Sequence, residues 1–422
     1  MEKQSGDDPR SSGPFAALHF RDFRLFWTGM LISQVGDWMQ MTAVSWLLYD
    51  LTGSAFQLGM NGIFRAVPMV GLGLVGGTIA DRYDRKRLLL VIQVILIVQS
   101  FLFGILTQIG LVQVWHIYTL TFTNAVIRTL EGPARQAMFP SLVPRSALPN
   151  AIALNSVVWK GTMLVGPSLA GIAISTVGVD GAFYANSASF VAVVLALVWM
   201  SASPQPARQA GRFLSDLRDG LRYVMSEKTI VRIMIMEAAS SIFGFDGAML
   251  TIFARDIFNA GVSGFGFLQS ARGLGGILGS SLVVSLGATA NYGKIMLVSG
   301  VLYGFCFASF GVSPSFRLGL ILLSFVGLAD AVWGATRSMI LQLQTPDALR
   351  GRVMGVFGLS SKGMQPLGQV ETGLAVPLVG ARGATVLGGL LVSAVALLTL
   401  SRSSALLRAR EADKPNSPPA GK

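Results

Sequence analysis

Cysteine and histidine are almost absent from this 422-residue chain, which holds one cysteine (Cys306) and two histidines (His19 and His116). A single thiol inside an apolar run excludes a disulfide framework and a cysteine-based metal site. Two histidines are too few for a His-ligated one. Charge is scarce as well. Asp, Glu, Lys and Arg make up 13% of the residues, where soluble domains average about 25%. No Gly-x-x-x-x-Gly-Lys-Ser/Thr segment is present to cradle a nucleoside triphosphate, which disfavours ATP-driven transport. Ser-His, Cys-His and metal constellations are missing too, so no enzymatic activity and no cofactor are expected.

What the chain does have is apolar surface: 52% hydrophobic residues, 49 glycines and a mean hydropathy of +0.59. At about 20 residues per membrane span, twelve spans would use about 240 residues and leave room for short connections only. The pattern predicts twelve: 23–50, 55–80, 88–110, 115–139, 149–177, 181–201, 229–257, 264–288, 293–311, 317–343, 352–378 and 383–401. The first apolar run is too long for a signal peptide and lacks a small-residue cleavage site. The expected fold is therefore an all-α membrane protein of twelve transmembrane helices in two pseudo-symmetric six-helix bundles. Its parts are a tail over 1–22, a bundle over 23–201, a linker over 202–228, a second bundle over 229–401 and a tail over 402–422. Within the linker, Phe213–Met225 reads as an amphipathic surface helix.

The net charge of +12 does not imply nucleic acid, because the basic residues sit at the ends of apolar runs rather than across one soluble face. Lys and Arg crowd the loops on the side that carries both tails, whereas the opposite loops hold only Arg317 and Arg382. The positive-inside rule then puts both termini in the cytoplasm. Trp27, Trp115 and Trp199, near span ends, are expected interface anchors; Trp38, Trp159 and Trp333 lie deeper, facing either a cavity or lipid.

The two halves are related. At an offset of 202, Arg135 falls on Arg337, Pro144 on Pro346, Lys160-Gly161 on Lys362-Gly363, Gly166 on Gly368 and Gly171 on Gly373. Nearer the start of each half, Asp37 meets Asp246, Gly59 meets Gly266 and Arg65 meets Arg272. Two parallel six-span repeats are the pattern of a rocker-type secondary transporter, with substrate bound near the midplane.

The run Gly77-Thr-Ile-Ala-Asp81-Arg82-Tyr-Asp84-Arg85-Lys86-Arg87 resembles the signature loop of the major facilitator superfamily. Gly132-Pro-Ala-Arg135-Gln-Ala, Pro144 through Ser156, Gly166-Pro167-Ser-Leu-Ala-Gly171 and Arg350-Gly-Arg352-Val-Met narrow the likeness. Together they are similar to the bacterial branch that contains the enterobactin exporter and macrolide-efflux proteins. The resemblance implies a cytoplasmic gate at Asp81, Arg82, Arg85 and Arg87. It also implies that Arg128, in Arg128-Thr-Leu-Glu131-Gly132, takes part in proton transfer. Gly166-Pro167 partly matches the antiporter motif of drug exporters, and so favours export. With Gly161 and Gly171 it is expected to break and thin span five, as Pro366, Gly368 and Gly373 do in span eleven.

Ionisable residues inside spans cost several kcal/mol each near the bilayer centre and are functional candidates by default. They are Asp37, Arg65, Arg128, Glu131, Lys160, Glu237, Asp246, Arg272, Asp330, Lys362 and Glu371. Asp37 lies midway along its span, where a carboxyl can take or release a proton as a cavity opens to either side. Arg128 and Glu131 share a helix face at i, i+3. Asp37, Arg128 and Glu131 are thus the expected proton-coupling group. Arg65, Lys160, Asp246, Arg272, Lys362 and Glu371 are expected to line the substrate cavity.

The expected function is proton-coupled export of an amphipathic small molecule (drug, siderophore or secondary metabolite) by a monomer in the bacterial inner membrane. Its partners are the substrate, protons and lipid, without nucleic acid. Two alternatives stand beside it: proton-coupled uptake of an anionic metabolite, suggested by Lys160 and Lys362, and a non-transporting membrane sensor of the same fold.

Overall fold

The computed structural model describes Gly13, residues 15–201, 213–285 and 291–401, without the side chains of Val70, 73–82, Ala137, 213–217, Asp219, Ala348, Leu359, Lys362, Leu400 and Ser401. Among the described residues there is helix and no strand. The helices are α1 (Arg21–Thr52), α2 (Ala55–Arg82), α3 (Arg85–Gln108), α4 (Val114–Met138), α5 (Leu148–Trp199) and α6 (Phe213–Ser226). They continue with α7 (Lys228–Phe243), α8 (Gly247–Ile252), α9 (Gly261–Ser285), α10 (Tyr292–Gly311), α11 (Phe316–Gln344) and α12 (Asp347–Ser401). Six helical stretches among the described residues are long and apolar enough to cross a membrane. Two of these, at α5 and α12, are long enough for two spans each. The long helices α1, α2, α4 and α9 fall outside that count; α1 and α4 carry Asp37, Arg128 and Glu131, and α9 carries Arg272.

The two doubled helices bend at matching places. Gly178 (φ 80°) and Gly380 (φ 74°) are the non-helical residues inside α5 and α12. Both take the left-handed region, where a side chain would be strained. They are 202 residues apart, the same offset as the other repeat marks, and they separate the spans expected at 149–177 and 181–201, and at 352–378 and 383–401. Pro167 and Pro366 do not behave as expected. Neither breaks its span, because the helix runs on through both prolines and leaves helical geometry only at the two glycines. A transmembrane helix tolerates proline where neighbours re-satisfy the freed carbonyl.

Span seven differs from the continuous helix expected over 229–257. α7 stops at Phe243, Gly244 is extended (φ −88°, ψ −155°), and α8 restarts at Gly247 before a π-helical turn over Phe253–Ile257. Asp246 caps the restart, its Oδ1 accepting the Ala248 amide at 2.9 Å.

Backbone packing divides the chain into two compact units, 1–51 with 67–210, and 52–66 with 211–422. In the first, Phe139 meets Phe23 and Phe26 edge-on at 5.8 and 5.3 Å. A buried polar seam ties α1, α3 and α5. Gln40 Oε1 accepts from Ser100 (3.0 Å) and Asn186 (2.5 Å), and Ser100 also donates to the Phe183 carbonyl (2.9 Å). The short turn Ala16–His19, from the expected tail, is docked: the Ala17 amide donates to Asn150 Oδ1 at 2.9 Å. In the second unit, α9 and α11 approach backbone to backbone. A methyl at Gly275, Gly279 or Gly327 would run into the carbonyl of Ser324, Leu328 or Arg272 respectively. α6 lies where the linker was expected to be amphipathic; its Tyr223 hydroxyl donates to the Gln344 carbonyl at 3.3 Å. Residues 202–212 of that linker lie outside the described residues.

Candidate functional site

Asp37, Arg128 and Glu131 come together in the first unit. α1 carries Asp37 and α4 carries the other two, one turn apart, so a single guanidinium reaches both acids. One Arg128 terminal nitrogen donates to Asp37 Oδ1 and the other to Glu131 Oε2 at 2.6 Å. Gln93 of α3 completes the group, its Nε2 donating to Glu131 Oε1 at 3.1 Å. The site is graded in access. The Glu131 side chain is 4% exposed, against 19% for Asp37 and 26% for Arg128. Beneath Asp37, Gly36 keeps α1 close to α5, since a methyl there would collide with Asn186 and Ser189. Trp38 packs on Gly166, its indole nitrogen buried without a hydrogen-bond partner among the described residues. Arg128 lies 5.6 Å from the Phe190 ring centre, and Arg135, two turns beyond Arg128, rests over Trp159 at 4.8 Å.

Chemically, two carboxylates share one directly bonded cation. The bond to Asp37 joins α4 to α1, and the bond to Glu131 stays within α4.

The remaining candidates spread out. Arg272 of α9 pairs with Asp330 of α11 at 2.7 Å and lies over the Phe245 ring at 4.2 Å. Asp246 is buried at the head of α8 with Gln369, Thr372 and the half-buried Glu371 of α12 beside it. Arg65 is half-buried and Lys160 exposed, and neither is free of interactions. The side chain of Lys362 lies outside the described residues, as do those of Asp81 and Arg82 in the expected gate. In the gate loop, Arg85 is half-buried and Arg87 exposed. Asp84 caps α3, accepting the Arg87 amide at 2.8 Å, and Lys86 donates to the Met200 carbonyl at the end of α5 at 2.6 Å.

A second ion pair lies outside the expected coupling, cavity and gate groups. Arg337 of α11 bonds Glu237 of α7, with side-chain exposures of 13% and 5%. The guanidinium lies 4.9 Å from the Phe357 ring centre and 5.6 Å from that of Trp333. Glu237 was legible as an intramembrane acid and Arg337 as the repeat mate of Arg135. Nothing in the spacing joins residues 100 positions apart. Trp27, an expected interface anchor, donates to the Leu154 carbonyl at 3.0 Å, and Trp333 is a core residue at 1% exposure.

The family model described as "Transmembrane secretion effector" matches residues 12–421. Curated relatives include the enterobactin exporter EntS of Shigella boydii serotype 18 and that of Escherichia coli O81. Each is 27% identical over 372 residues, covering 87% of this chain and 85% of the relative. Among solved structures, the nucleoside transporter NupG superposes with a TM-score of 0.71 at 15% identity, covering 92% of this chain and all of that one. A D-xylose–proton symporter gives 0.67 at 14% identity, covering 90% and 97%.

Proposed function

We propose that this chain, which belongs to the transmembrane secretion effector family of major facilitator transporters, exports an amphipathic small molecule from the bacterial cytoplasm in exchange for protons. Membership makes it a multi-pass membrane transporter and not an enzyme. Direction, coupling ion and substrate class are the proposal. The likeness to exporters along most of the chain supports export. Both termini face the cytoplasm in this reading, the protein works as a monomer in the inner membrane, and Asp81, Arg82, Arg85 and Arg87 serve the cytoplasmic gate.

The observation that carries proton coupling is the shared guanidinium of Arg128. Two acids compete for one bonded cation, with Arg135 the further positive charge near both. A proton on one acid leaves Arg128 to the other. With Asp37 more accessible than Glu131, we assign Asp37 to proton exchange with water and Glu131 to holding Arg128 when Asp37 is protonated. Gln93 keeps Glu131 oriented for that role.

Cells producing the protein should accumulate less of a fluorescent amphipathic dye than cells carrying an empty vector. The difference should vanish when a protonophore collapses the gradient. A difference that survives the protonophore would overturn the coupling, and greater accumulation would overturn the direction.

A further inference from the structure

The break in span seven has a consequence in the second unit. Because Gly244 is not helical, the Phe245 amide lacks an in-helix acceptor, and the Tyr303 hydroxyl of α10 accepts it at 2.7 Å. This holds the Phe245 ring under Arg272, 4.2 Å from its guanidinium carbon. The glycine contacts between α9 and α11 bring Asp330 to the same guanidinium. The pair lies near the middle of both helices, yet Asp330 is 42% and Arg272 20% exposed. An ion pair open to hydrocarbon at that depth would be costly, so the exposed side is the side that meets water. Among the described residues Arg272 has one hydrogen-bond acceptor, Asp330 Oδ2, and its Nε is buried without a partner.

We propose that Arg272, stacked on Phe245, is a recognition site for planar organic anions such as aryl carboxylates, with Asp330 as a built-in rival that the ligand displaces. A guanidinium offers a planar fork of donors that fits a carboxylate bidentately, and Asp330 uses one terminal nitrogen of it. The aromatic face supports a flat apolar body beside the charge. Displacing Asp330 frees a carboxylate on α11, so anion binding and the charge state of this unit are linked. The inference rests on the transport reading for its purpose and names the substrate class that reading leaves open.

The test is equilibrium binding of benzoate and acetate to the purified full chain, read by calorimetry at one pH with no gradient. Benzoate should bind more tightly than acetate. Asp330→Asn removes the rival and should tighten benzoate binding about tenfold, the worth of one charge-assisted contact. Arg272→Gln should abolish binding, and Phe245→Leu should erase the preference for benzoate. Weaker or unchanged binding in Asp330→Asn, or wild-type binding in Arg272→Gln, overturns the proposal. If Arg272→Gln does not fold, the opposite signs expected for Asp330→Asn and Phe245→Leu still decide. Since no gradient is applied, failure here leaves proton coupling standing, and failure of proton coupling leaves this binding result standing.

Discussion

Replacing Asp37 by Asn should uncouple transport while leaving a folded protein, and the structure sets both magnitudes. Asn is isosteric and keeps an oxygen towards Arg128, which retains Glu131 at 2.6 Å. The loss is the difference between a charge-assisted and a neutral hydrogen bond, about 1 kcal/mol. Arg128→Met is the contrast, because it strips the bonded cation from Asp37 and from the deeply buried Glu131. Breaking a buried pair in that way costs about 3–5 kcal/mol. For function, each proton exchanged per substrate is worth about 1.4 kcal/mol, a tenfold concentration ratio, per pH unit. In proteoliposomes with the membrane potential clamped and a two-unit pH gradient, wild type exchanging one proton should reach about a hundredfold accumulation of a transported dye. Asp37→Asn should stay near one, with an elution profile and melting temperature close to wild type. Wild-type accumulation in this variant would remove Asp37 from the coupling step.

Three further substitutions probe the scaffold. Glu237→Gln strands Arg337 beneath Trp333 and Phe357 and should cost about 3–5 kcal/mol, whereas Glu237→Leu with Arg337→Met should recover most of it in thermal unfolding. Tyr303→Phe leaves the Phe245 amide without its acceptor; a loss of about 1–3 kcal/mol in denaturant titration is expected, together with weaker benzoate binding. Gly275→Leu drives a side chain into the Ser324 carbonyl and should cost at least about 2 kcal/mol, with unfolding again the readout.

Most of the span pattern was legible because a membrane allows few solutions: apolar runs of sufficient length mark helices. The bends at Gly178 and Gly380 fall between spans already drawn from hydropathy, and their common offset makes them part of the repeat. The interruption at Gly244 was missed. Gly244, Asp246 and Gly247 offer a break and an N-cap inside an otherwise apolar run, but a continuous span was drawn through them, and the break also involves Tyr303, far along the chain, catching the freed amide. Charge told the same story twice. Arg128 and Glu131 announced themselves by local spacing, and Asp37 by its depth, so the triad could be anticipated. Arg272 with Asp330, and Glu237 with Arg337, are tertiary pairs. Arg272, Asp330 and Glu237 stand out as intramembrane charges and Arg337 only as the repeat mate of Arg135, but which acid meets which base depends on the glycine-mediated approach of α9 to α11 and on the path of α7. Pro167 and Pro366 misled for the converse reason, since the cost of proline is set by neighbours that the sequence alone does not place.

Everted membrane vesicles, energised to an acid interior and loaded with a pH-sensitive dye, offer the most direct test of exchange through the Asp37–Arg128–Glu131 group. Adding a transported amphipathic compound should release protons and restore the dye signal in wild-type vesicles, and leave it unchanged in Asp37→Asn vesicles. Uptake of the compound with no proton release in wild type, or equal release in both, would contradict proton exchange at this site.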